Sequence, residues 1–173
     1  MVAQESKEIK ISCQIPAIDK MDDSLNSLEF CEKLSLASNN IERIISLPKL
    51  RRIKVLSLGR NNIKRLQGMD EIGQTLEELW ISYNSIEKLD GIGSCVKLIV
   101  LFASHNRIKN WDEVAKLAPL VDLKCCLLVG NPIYNDRNPE DVHPYIVKRV
   151  PQLEQCDGVM ISAYCRKIAE EMD

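Results

Sequence analysis

A solenoid of short parallel strands, an α/β coil with one repeat per turn, is the fold this sequence predicts, and three observations predict it. The pattern L-x-x-L-x-L-x-x-N-x-I recurs along most of the 173 residues. Five asparagines, Asn39, Asn61, Asn84, Asn106 and Asn131, hold its register at spacings of 22, 23, 22 and 25 residues. A second apolar series follows each of the first four asparagines: Ile44 and Leu47, Leu66 and Met69, Leu89 and Ile92, Trp111 and Val114.

Spacings of this size fall in the range of leucine-rich repeats, about 20 to 29 residues. The apolar positions of each copy fall where the template requires: Leu34, Leu36 and Ile41; Leu56, Leu58 and Ile63; Leu79, Ile81 and Ile86; Leu101, Ala103 and Ile108; Cys126, Leu128 and Ile133. An L-x-L segment alternates with period two, so it reads as a strand whose leucines point into the coil and whose central residue points out. The Asn turns the chain inward, its amide serving backbone groups that the bend leaves unpaired. About ten residues then return to the next strand, which leaves room on the convex side for 3₁₀ turns and a helical turn or two at Asp112 to Leu117, and no long helix.

The ends read as caps, because a repeat stack must cover its two open faces. Residues 1–30 form the front cap and a degenerate first turn, with Ile11, Cys13 and Ile18 in the apolar positions and Pro16 where the Asn would stand. Residues 31–136 hold five repeats. Residues 137–158 form the rear cap, with Tyr145 to Leu153 and Cys156-Asp157-Gly158 resembling the closing segment of many intracellular repeat proteins. Residues 159–173 read as a short amphipathic tail helix, the whole being one domain.

Composition excludes several classes of function. With 23 basic against 25 acidic residues the net charge is −2, so no global field draws nucleic acid or an anionic membrane. The amino terminus has no apolar core of the secretory kind, and the chain is expected to be soluble and intracellular. Seven cysteines, an odd number with no C-x-x-C pair, fit a reducing compartment in which they serve as small apolar residues. A metal site is not expected, since His105 and His143 stand far from any ligand cluster in the sequence. No Gly-rich phosphate loop or nucleophile with base and orienting acid is visible, so neither catalysis nor a cofactor is expected.

Function is expected on the concave face. The outward residues of the five strands are Ser35, Ser57, Trp80, Phe102 and Leu127, of which the last three are large and apolar on adjacent strands. The residues just before each Asn add Tyr83 and His105, with Arg60 at the edge. Together Trp80, Tyr83, Phe102, His105 and Leu127 are expected to form one contiguous apolar surface, and such a patch points to a protein partner. Trp111, at a repeat-consensus apolar position, reads as core.

Several segments go beyond the generic repeat. Val55 to Asn61, Thr75 to Asn84 with its Leu-Trp-Ile-Ser-Tyr-Asn, Asn110 to Glu113, Gly130 to Asp136 and Ile15 to Asp22 resemble the leucine-rich-repeat light chains of the outer arm of axonemal dynein. The resemblance covers roughly residues 9 to 158. It implies a non-catalytic light chain of cilia and flagella that binds a dynein heavy chain near the microtubule-binding tip of the stalk. Trp80 and Tyr83 match the family's aromatic segment. The family usually carries longer helices at both ends, whereas this sequence starts nearly at the first cap and stops at Asp173, so the contacts of those ends, with tubulin among them, are not what the resemblance carries over. Cys126, Ala103 and Phe102 stand where Leu, Met and Tyr are commoner. Two other adaptor types share the architecture: a phosphatase-regulatory subunit, which normally has about twice as many repeats, and a spliceosomal RNA-associated protein, which needs a more basic face than these outward columns offer.

Overall fold

The computed structural model of the protein describes residues 5–172. Met1 to Gln4, which open the amino-terminal segment read above for a secretion signal, and Asp173, at the end of the tail, lie outside the described residues. Eight strands form one sheet in sequence order: β1 Glu8–Lys10, β2 Lys33–Ser35, β3 Val55–Ser57, β4 Glu78–Trp80, β5 Val100–Phe102, β6 Cys125–Leu127, β7 Gln155–Cys156 and β8 Val159–Met160. All neighbouring pairs are parallel except β7 with β8, where the chain reverses. Leu34, Leu56, Leu79, Leu101, Cys126 and Cys156 stand in one register column, and each is at most 1% exposed. The second apolar residue of each strand segment and the apolar residues of the return turns, Trp111 excepted, complete a single continuous core.

The asparagine ladder welds one coil to the next. Asn61 Nδ2 donates to Leu58 O of its own repeat and to Leu36 O of the repeat before, both at 3.0 Å, while its Oδ1 accepts from Ile41 N at 3.0 Å. Asn84, Asn106 and Asn131 repeat this arrangement. Each amide thus satisfies three buried backbone groups at the bend, where no strand partner exists.

On the convex side the returns are turns, 3₁₀ helices at Ile72–Gln74 and Ile92–Ser94, and one short helix, α1 Trp111–Ala115, capped by Asn110 accepting from Asp112 N. This agrees with the room ten residues allow, α1 starting one residue earlier and ending two residues earlier than the sequence suggests. Trp111 is half-buried and not fully in the core: it packs against the core on one side and stacks on Tyr145 at 5.6 Å, with the Arg149 guanidinium 4.8 Å over its ring.

The front cap differs from its expected register. Ile9 pairs with Leu34, and Ile11 N and Cys13 N donate to Ser35 O and Ala37 O, so Ile9 and Ile11 occupy the paired apolar positions. Cys13 falls on the outward turn position with φ 53° and is exposed. Ile18 returns to phase, its N–H reaching Asn39 Oδ1 at 3.1 Å, because residues 14–17 form a longer loop than the two residues between Ser38 and Ile41. A proline in the Asn position suggested the wrong frame, and the strand hydrogen bonds correct it.

The rear cap contains α2 Pro139–Arg149, started by Pro139 at the first turn, whose Val142, Ile146 and Val147 cover the open end of the core. The tail is not helical throughout. Asp157 and Gly158 take φ of 50° and 82° and turn the chain back into β8, and only then does α3 Ala163–Glu171 begin, capped by Ser162 and packed on α2. No described helix is long and apolar enough to cross a membrane.

Candidate partner-binding face

The sheet register puts the large outward residues in line. Ser57, Trp80, Phe102 and Leu127 are successive cross-strand partners. Trp80 and Phe102 stack with centroids 5.7 Å apart and planes 28° from parallel, and Trp80 Nε1 donates to Glu78 Oε2 at 3.1 Å. That bond fixes the indole without hiding it, for Trp80 remains 39% exposed. Phe102 and Leu127 are half-buried.

A second row runs through the turns. The Arg60 guanidinium lies 4.6 Å over the Tyr83 ring, and Tyr83 stacks on His105 at 4.3 Å. Gly130 continues the row; a side chain there would meet the His105 ring at 2.8 Å, so glycine leaves the imidazole its place. Ser38, Arg60, Tyr83 and His105 all hold φ between 52° and 57°, a conformation costly for residues with a Cβ.

The expected surface is arranged in two rows, Trp80, Phe102 and Leu127 on the strands and Arg60, Tyr83 and His105 on the turns. Small residues, Gly59, Ser82 and Ser104, separate them, and Ser104 Oγ donates to Ser82 Oγ at 3.0 Å along that floor. The alternation of side chains explains the division: Trp80 and Ser82 both point outward two residues apart, and Tyr83 projects from the bend beyond. Glu78 and the positive-φ positions escaped sequence reading. The second had a signal in Gly130, which stands before Asn131 where the other repeats carry Ser, Arg, Tyr and His.

A second polar cluster lies in the rear cap and corrects the placement of His143. Although distant in sequence from most cysteines, His143 Nε2 lies 3.0 Å from Asp157 Oδ2, next to Cys156. Asp157 Oδ1 accepts from Leu128 N and Val129 N, and Oδ2 also accepts from Tyr134 Oη. Burial works to raise the Asp157 carboxyl, but these donors together hold it below the usual carboxylate range. The hydrogen bond to Asp157 pushes the His143 imidazole up to about 9. A cysteine, a histidine and an acid meet here, yet Cys156 is 0% exposed, so no substrate reaches its sulfur.

No family model matches the chain. It is 45% identical over 165 residues to dynein axonemal light chain 1 of Chlamydomonas reinhardtii, covering 93% of this chain and 83% of that one. With the Homo sapiens protein of the same name it shares 51% over 158 residues, covering 91% and 83%. Among solved structures, one chain of the Drosophila melanogaster SNF/U2A' complex superposes with a TM-score of 0.76 at 20% identity, over 89% of this chain and 92% of that one. A leucine-rich-repeat protein of Leptospira interrogans gives 0.64 at 26%, over 80% and 34%. The first of these shows the fold alone.

Proposed function

The chain belongs to the dynein axonemal light chain 1 family, and from that premise we propose that it is a non-catalytic subunit that attaches to an outer-arm dynein heavy chain through its concave face. The observation that carries the attachment site is the double aromatic row. Tyr83 and His105 occupy backbone conformations that glycine would adopt at less cost, while Trp80 stays exposed beside Phe102. The coil has no structural need of these side chains. Large groups retained at strained, solvent-facing positions support a binding role.

The two rows with small residues between them suit a partner segment that lays apolar anchors against Trp80 and Phe102 and a polar or acidic edge against Arg60, Tyr83 and His105. We assign that segment to the heavy-chain stalk near its microtubule-binding tip, with tubulin as a further neighbour, in the axoneme of cilia or flagella. Regulation of the motor would follow from occupancy of the stalk. Tagged chain expressed in ciliated cells should bring down an outer-arm heavy chain, and a proteolytic stalk-tip fragment of it should suffice for binding. Recovery of no heavy chain would overturn the assignment; recovery only with fragments lacking the stalk would overturn its location.

A further inference from the structure

Four side chains that the aromatic face does not use meet where the last repeat joins the rear cap. Cys126 and Cys156 are register partners on β6 and β7, with sulfurs 3.6 Å apart and both residues 0% exposed. Cys156 Sγ lies 3.7 Å from Asp157 Oδ2, which lies 3.0 Å from His143 Nε2. The donor atoms of His143, Cys156 and Asp157 all fall within 4.8 Å of one another. Two sulfurs, an imidazole nitrogen and a carboxylate oxygen form a donor set that suits tetrahedral zinc.

Three edges of the cluster have the right lengths. Bonds of about 2.3 Å to sulfur and about 2.0–2.1 Å to nitrogen and oxygen give tetrahedral edges of about 3.8 Å for S···S, about 3.6 Å for S···O and about 3.3 Å for N···O. The corresponding separations here are 3.6, 3.7 and 3.0 Å. Those three edges thus stand within a few tenths of an ångström of a closed site, and the remaining edge of the His143–Cys156–Asp157 triangle is under 4.8 Å. The fourth requires the Cys126 sulfur to turn about its Cα–Cβ bond from Cys156 toward the other donors.

Outer contacts of the kind that orient metal ligands are already present. Leu128 N and Val129 N hold Asp157 Oδ1 at 2.7 and 2.9 Å, and the Tyr134 hydroxyl bonds Oδ2. His143 also lines a groove of ≈ 620 Å³ between α2 and α3, so the imidazole is the side of the cluster nearest solvent. We infer that His143, Cys156, Asp157 and Cys126 form a structural site for a soft divalent cation, zinc, that ties β6, β7 and α2 together. On binding, two sulfur–zinc bonds replace the two S–H bonds, the nitrogen releases the proton it donates to Asp157, and three protons pass to solvent with no change of oxidation state.

The test uses the full chain without a histidine tag, purified under reducing conditions without chelator from zinc-supplemented cells. Mass spectrometry of the metal content should find about one zinc per chain, and added Co²⁺ should give a thiolate-to-cobalt charge-transfer band with intense tetrahedral ligand-field bands. Cys126→Leu with Cys156→Leu fills the same core positions with apolar groups and should fold while losing both bands. His143→Gln, which keeps both thiols, should weaken metal affinity at least about tenfold, and Cys13→Ala, at an exposed site, should change nothing. Wild-type protein that holds only trace zinc and develops no cobalt band, or variants that bind as tightly as wild type, would overturn the site.

Discussion

Tyr83 and His105 lie face to face, their ring centroids 4.3 Å apart and their planes within 7° of parallel, each on a residue of positive φ. A left-handed conformation costs a residue with a Cβ about 1–2 kcal/mol, and a stacked pair returns about 0.5–1.5 kcal/mol. The two nearly cancel. Tyr83→Gly should therefore melt within about 1 kcal/mol of wild type while binding the heavy chain less tightly. A thermal scan showing a loss well above that would mean that the ring holds the turn together.

The asparagine ladder predicts the opposite balance. Asn84→Ala removes the partner of Leu58 O, Ile81 O and Ile63 N, all buried. Since one unsatisfied buried group costs about 1–3 kcal/mol, the variant should lose about 2–4 kcal/mol. Chemical denaturation reads this directly, and an unchanged midpoint would show that water or a backbone shift satisfies the three groups.

A paired substitution tests how tightly the coils approach one another. Gly91 has φ 90°, and a Cβ there would lie 2.2 Å from Leu66 O; Gly93, in the adjoining 3₁₀ turn, faces open space. Gly91→Ala should cost about 2–4 kcal/mol through strain and overlap with backbone, whereas Gly93→Ala should be neutral or stabilising by a few tenths. Similar melting of the two variants would refute the close approach.

The same contrast explains what was legible in the sequence. The repeats, the inward leucines and the Asn ladder were readable because each is enforced by a period: a misplaced Leu34 or Asn61 would expose apolar surface or orphan backbone groups in every coil. The caps break the period, and there the frame of the front cap and the hairpin that precedes the tail helix were not legible. Pro16 mimicked a turn residue, although hydrogen bonds at Ile11 and Cys13 set the frame. Nothing in the spacing of His143 and Cys156 announces that α2 folds one against the other. On the candidate face, Trp80 and Phe102 followed from alternation. The stacking of Tyr83 on His105 depended on the positive φ at both, for which Gly130 was the one signal in the sequence.

Burial separates the cysteines. Cys13 is exposed, whereas Cys95 is 0% exposed and its thiol is pushed up to about 12, chiefly by burial and then by the charge of Asp70. Alkylation of native protein should label exposed Cys13 and spare Cys95 until denaturant is added. A folded pKa above the ordinary 9.0 means that the contribution of Cys95 to stability is complete below pH 9 and is lost as pH rises toward 12. The denaturation midpoint should fall over that window, and Cys95→Ala should flatten the fall. A midpoint with the same alkaline slope in both proteins would place the titrating group elsewhere.

The decisive prediction for function joins the aromatic row to the partner. Trp80 and Phe102 stack on neighbouring strands with the indole held by Glu78, so their positions are set before any partner arrives and little side-chain entropy is lost on binding. Truncating a central aromatic anchor commonly costs about 2 kcal/mol or more, about 30-fold in affinity. Trp80→Ala with Phe102→Ala should melt near wild type, since neither residue is in the core, yet bind a heavy-chain stalk-tip fragment at least about 30-fold more weakly. Leu127→Ala, at the end of the row, should cost less. Glu87→Ala, exposed on the turn beyond Asn84, serves as a control that leaves affinity unchanged. Calorimetric titration decides among these outcomes. If the double variant binds as tightly as wild type, or if Glu87→Ala weakens binding more than the aromatic truncations do, the partner docks on the turn side of the coil and the concave assignment is wrong.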